Sequence, residues 1–221
     1  DGQRRAGPGR EAKLREVAFT AHKNANGLEA RKQALRSLAG QTTEKDLAAL
    51  FKIALNTKHK EDFRDLAFDR IGDVRSGATI GRLWPVVTGA DTPRVRWRAA
   101  ELVLAIGGHQ VVDTFFAKLP SDGAYPADEL EVYATRMSEM SPQPTREVLR
   151  QLKSASWAHR VIALRYLARA GTAKHRSAMK QLLGDKAKPK GPYWAKDATV
   201  GSLASDALEE MDARLKTPKA S

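Results

Sequence analysis

Apolar residues recur along this chain at helical spacing, in stripes separated by short polar turns. Leu14, Val17, Ala18 and Ala21 form the first stripe and predict a helix over Glu11 to Asn24. Asn26-Gly27 predicts a break, and Leu28 to Ala39 a second helix with Ala30, Ala34, Leu35 and Leu38 inward. Thr43-Glu44-Lys45-Asp46 has the form of a capping box and opens the stripe Leu47, Leu50, Phe51, Ala54 and Leu55. After a turn at His59-Lys60, Phe63, Leu66, Ala67, Phe68 and Ile71 make a return helix. Outgoing helices follow over Ala78 to Val87, Val111 to Leu119, Thr145 to Lys153 and Ala173 to Leu183. Each is answered by a return helix, over Val95 to Ile106, Leu130 to Met140, Ala158 to Ala170 and Asp197 to Leu215. Pro85 is expected to kink or shorten its helix.

The return helices share a signature. An arginine is followed at +3 by a small residue, at +7 by an aliphatic one and, a few residues on, by glycine. Arg31 leads to Ala34, Leu38 and Gly40, and Arg64 to Ala67, Ile71 and Gly72. Arg96 leads to Ala99, Val103 and Gly107, and Arg160 to Ala163, Leu167 and Gly171. These arginines lie 33, 32 and 64 residues apart, the last interval being a doubled period across a degenerate unit at Leu130 to Met140. Such self-similarity is the mark of a solenoid, whose units bury their apolar faces by stacking on neighbours. The last copy, at Val200, Ala204 and Leu208, has Gly201 in place of the arginine. It is displaced by Gly184 to Lys196, a run with Lys186, Lys188, Lys190 and Lys196 among prolines and glycines, which reads as an inserted loop.

Val95-Arg96 followed by Ala99-Ala100 and closed by Gly107 resembles the second helix of HEAT repeats, particularly the short bacterial type. The resemblance covers roughly residues 28 to 211. It implies an all-α fold, a right-handed α-solenoid of about six antiparallel helix pairs forming a single domain over residues 11–216. Residues 1–10, rich in Gly, Pro and Arg, read as a flexible tether and 217–221 as a tail. The start at Asp1 points to a removed leader or to a piece of a longer chain. Cytoplasmic and tethered periplasmic positions both remain open, as does the oligomeric state. The resemblance also implies structural work for Arg31, Arg64, Arg96 and Arg160, which would bond helix ends or neighbouring carboxylates, and left-handed caps at the closing glycines.

Several chemistries find no residues to carry them. Cysteine is absent, which removes disulfides, thiolate metal sites and Cys–His nucleophiles. The HEAT-like hydroxylases bind iron through His-Glu pairs. Here His22, His59, His159 and His175 each precede a cation and His109 precedes Gln110. No phosphate-binding Gly-rich loop or nucleophile elbow is present, and no motif matches the HEAT-like DNA glycosylases or bilin lyases. The expectation is therefore a non-enzyme without metal or cofactor. No apolar run is long enough to span a membrane.

The net charge of +12 is uneven, with an excess of +5 over residues 1–75, −1 over 76–150 and +8 over 151–221. Between Lys153 and Lys190 ten cations face Asp185 alone in the sequence. Arg165 and Arg169 are one helical turn apart, and Tyr193-Trp194 adds aromatics to the lysines. Residues Arg165, Arg169, Lys186, Lys188, Lys190, Tyr193 and Trp194 are accordingly the candidate partner-binding set. Against this, Tyr193 and Trp194 could fold back as a lid on the last apolar groove, and Trp97 and Trp157 are expected to pack between repeats. The expected function is a scaffold binding a protein or peptide on the concave face of the return helices. The alternative is a nucleic-acid-binding module using the basic face of residues 153–196.

Overall fold

The computed structural model describes residues 8–20, 25–89 and 92–217. Among these the chain is all-helical, with no strand. It divides into two compact units, residues 1–82 and 83–221.

In the first unit α1 (Pro8–Phe19) pairs with α2 (Ala25–Ser37), α3 (Leu47–Ala54) pairs with α4 (Glu61–Asp73), and α2 packs on α4. Leu35, Leu38, Leu50, Phe63, Ala67 and Ile71 are fully buried between them. Alanine at positions 34 and 67 lets the helices approach closely. The capping box at Thr43 forms as expected: Thr43 N donates to Asp46 Oδ2 at 2.8 Å, ahead of a 3₁₀ turn that leads into α3. Asn26-Gly27 does not break the chain but lies in the first turn of α2, where unpaired amides make glycine inexpensive. Of the expected tether, residues 8–10 form the opening of α1, since a proline at the first helical position forfeits no hydrogen bond. Residues 1–7 lie outside the described set, as do 218–221 of the expected tail. Residues 21–24, expected to finish the first helix, are also outside it.

The boundary between units falls within α5 (Gly77–Gly89), which contains Pro85 and is not ended by it. In the second unit the return helices α6 (Pro93–Gly107), α8 (Ala127–Ser138), α10 (Trp157–Ala170) and α12 (Val200–Lys216) pack one on the next. The shorter helices α7 (Val112–Lys118), α9 (Thr145–Gln151) and α11 (Arg176–Lys180) lie against them. Phe115, Tyr133, Met137, Val161, Leu164, Leu167, Ala204 and Met211 fill the interior. Thr199 caps α12, accepting from Ser202 N at 3.1 Å while its own N donates to Ser202 Oγ at 3.0 Å, so the helix starts later than Asp197.

The signature arginines bind helix ends and loop carbonyls. Arg31 Nε donates to Ala18 O and Arg64 Nε to Ala54 O, each at 2.9 Å, at the ends of their partner helices. Arg160 donates to Ser154 O and Ala155 O and pairs with Asp185 at 2.8 Å. Arg96 reaches forward instead. It donates to Ala124 O at 2.9 Å and forks onto Glu129, thirty-three residues on, at 2.9 and 2.8 Å. One period after Arg96 the degenerate unit thus carries the complementary carboxylate. Glu129 is fully buried and also accepts from Tyr133 Oη at 2.6 Å. Burial disfavours the Arg96 cation, but the bonds and charge of Glu129 outweigh it and raise its pKa. Burial, and then the Glu129 charge, hold the Tyr133 phenol well above its ordinary value.

The closing glycines are a correction. Gly40 adopts a left-handed φ of 68°, but Gly107 and Gly171 have φ of −86° and −68°. Gly171 is needed for space, because a Cβ there would collide with the Leu167 carbonyl. Gly201 is explained in the same way: its N donates to Asp185 O at 2.9 Å, and a Cβ would press on the carbonyls of Leu183 and Asp185. No side chain, arginine or other, fits there.

Candidate functional site

Along α8, α10 and α12 the return helices of the second unit leave two adjoining clefts, of about 390 and 170 Å³, that share Arg165, Leu203 and Asp206. Together they make one groove. Its upper part is lined by Tyr193 and Trp194 from the inserted segment and by Asp197 just after it, and its lower part by Glu131, Val161, Leu164 and Glu210.

The two candidate arginines do lie on one side of α10, and both are occupied. Arg165 Nη1 donates to Ala127 O at 2.6 Å and pairs with Glu131 at 3.2 Å. Its guanidinium lies 5.1 Å from the centre of the Trp194 ring. Burial lowers its pKa, with Asp128 and Glu210 acting in the other direction. Arg169 pairs with Glu131 and, at 3.7 Å, with Glu210. The basic run read from the sequence is therefore neutralised here by carboxylates from α8 and α12. Part of this was legible: Arg165/Arg169 and Asp206/Glu210 are both pairs four residues apart, and so lie on single helix faces. What a linear charge count misses is that α10 and α12 turn those two faces toward one groove.

The adjacent aromatics part company. Trp194 packs edge-on against Trp157 at 5.8 Å, and its indole N–H donates to Tyr125 O at 2.8 Å. Trp157, at the start of α10, is buried and also meets Tyr125 edge-on at 6.0 Å. Tyr193 instead points outward, 80% exposed, on a backbone with φ of 66°. Lys186, Lys188 and Lys190 are exposed on the segment leading to it. The structure thus brings Arg165, Tyr193 and Trp194 to one groove, pairs Arg169 with the groove carboxylates Glu131 and Glu210, and leaves the three lysines exposed on the inserted segment.

Among the described residues no cluster of His, Asp and Glu could hold a metal ion, and no helix is long and apolar enough to cross a membrane. The chain matches no family model, no curated protein and no solved structure.

Proposed function

We propose that the chain is a right-handed HEAT-like α-solenoid that acts as a non-catalytic scaffold, binding a protein or peptide along the concave face of its return helices. The repeat reading is supported by polar contacts that link positions 30 to 36 residues apart, close to the spacing of the signature arginines. In the first unit Arg15 bonds Asp46 across 31 residues and Lys32 bonds Asp62 across 30. In the second, Arg96–Glu129, Arg136–Glu101 and Arg176–Asp212 span 33, 35 and 36 residues.

The binding reading is carried by the groove of α8, α10 and α12. Leu203 and Trp194 offer apolar surface, Arg165 lines the groove together with Glu131, Asp206 and Glu210, and Arg169 pairs with two of these carboxylates. Mixed charge around an apolar strip suits a peptide, whereas a polyanion entering the groove would meet four carboxylates, Glu131, Asp197, Asp206 and Glu210. The test places a photo-crosslinking amino acid at Leu203 and exposes the protein to native extracts at physiological salt. A protein adduct that disappears with Asp206→Arg is expected. Adducts to nucleic acid or small molecules alone would overturn the reading.

The nucleic-acid alternative retains one favourable observation, the exposed lysines at 186, 188 and 190. It is checked by a salt series on labelled duplexes, in which changing these three lysines to Gln should weaken binding and Arg165→Gln should matter less.

A further inference from the structure

The segment between α11 and α12 is hydrogen-bonded at both of its ends. Gly201 N donates to Asp185 O at 2.9 Å and Val200 N to Ala187 O at 2.8 Å, which ties its first half to the start of α12. Tyr125 N donates to Lys190 O at 2.8 Å, Ala127 N to Pro192 O at 3.3 Å and Trp194 Nε1 to Tyr125 O at 2.8 Å, which ties its second half to the start of α8.

On this fixed backbone exposure alternates. Lys186, Lys188 and Lys190 are exposed, while Asp185, Ala187 and Pro189 are half-buried. In an extended chain alternate side chains on one side stand roughly 6–7 Å apart. Asp185, the one acid in the run, is already taken by Arg160 at 2.8 Å and by Ala187 N at 2.9 Å. None of the three lysines pairs with a carboxylate among the described residues. Three residues beyond the row stands Tyr193. Its φ of 66° is disfavoured for any residue with a Cβ, and its ring stands 80% in solvent.

We infer that this segment binds single-stranded nucleic acid, with Lys186, Lys188 and Lys190 meeting successive phosphates and the Tyr193 ring stacking on an unpaired base. The inference rests on the nucleic-acid reading and narrows it, because a base inside a duplex is already stacked and cannot use the ring.

Fluorescence anisotropy on the whole chain tests this with a labelled twelve-nucleotide oligothymidine, a twelve-nucleotide oligouridine, a duplex of equal length, and vesicles of phosphatidylcholine with phosphatidylserine. The oligonucleotides should bind with a log–log salt slope of about −2, as for three phosphates on a single strand. Changing the three lysines to Gln should flatten that slope. Tyr193→Ala should weaken binding on the order of ten-fold without moving the slope. Tyr193→Gly should lose the same affinity while keeping or raising the thermal midpoint, since glycine accepts the left-handed backbone. Equal binding of duplex and single strand, indifferent to Tyr193, would leave a nucleic-acid binder and overturn the single-strand inference. Binding to vesicles alone, or to none of the probes, would overturn both.

Discussion

The arginines of α10 and the lysines of the inserted segment carry the same charge and lie in the same third of the chain, yet the fold uses them oppositely. Arg160 and Arg165 are spent on protein: carbonyls of the loop before α10 and of Ala127, the carboxylates of Asp185 and Glu131, and for Arg165 the Trp194 ring. Lys186, Lys188 and Lys190 are left in solvent. The guanidinium's planar fork satisfies two or three acceptors at once and is weakly hydrated, so burying it against a helix end is tolerable. An ammonium on a long flexible stem prefers water. The contrast teaches that net charge locates a partner surface only after internal pairing is subtracted.

The contrast is broken most severely at the deepest pair. Glu129→Ala leaves Arg96 and the Tyr133 hydroxyl without their acceptor in a dry interior and should cost about 3–5 kcal/mol, read as a lowered denaturant midpoint. A loss near that of an exposed ion pair would mean that Arg96 is satisfied elsewhere.

Arg165→Ala should cost about 2 kcal/mol, because it removes a charged hydrogen bond to Ala127 O and the support under Trp194. Hydrogen exchange at the Trp194 indole should quicken with it, as that N–H is the bond to Tyr125 O.

A pH series sharpens the same division. Burial foremost raises the Tyr125 and Tyr133 phenols above their usual value of 10.0. Below that pH both folded and unfolded chains keep these protons. Above it the unfolded chain releases them first, so stability should fall as pH rises from about 10. Urea midpoints at pH 8, 9 and about 10.5 check the sign, and the lysine-to-Gln variant should follow the same curve as the parent.

The smallest effect belongs to that lysine variant itself. With no internal partner, replacing Lys186, Lys188 and Lys190 should change stability by less than about 0.5 kcal/mol. A cost approaching that of Arg165→Ala would erase the distinction between spent and free cations.

Much of the architecture could be read before any coordinates. The stripes at Leu47–Leu55, Phe63–Ile71 and Ala158–Ala170 and the capping box at Thr43 depend on neighbours three or four residues away, and local spacing reports them faithfully. The signature arginines were equally legible, since the carbonyls that Arg31, Arg64 and Arg160 bind belong to their own helix pair. Gly40 is left-handed as expected, but Gly107 and Gly171 were misread because a cap's handedness and a close approach leave the same residue in the sequence, and at Gly171 it was the approach of the Leu167 carbonyl that demanded it.

The candidate site is where local reasoning stopped. Glu131 and Glu210 come from helices before and after α10, so the neutralisation of Arg165 and Arg169 is invisible until those helices pack. Tyr193 and Trp194 are neighbours of like chemistry, and nothing in their order distinguishes them. The Tyr125 carbonyl, sixty-nine residues away, takes the Trp194 indole, while the neighbouring Tyr193 ring stays in solvent on a left-handed backbone. The helices were determined by short-range spacing, whereas the choice of which cations and which aromatic ring face solvent was made by packing between segments distant in the chain.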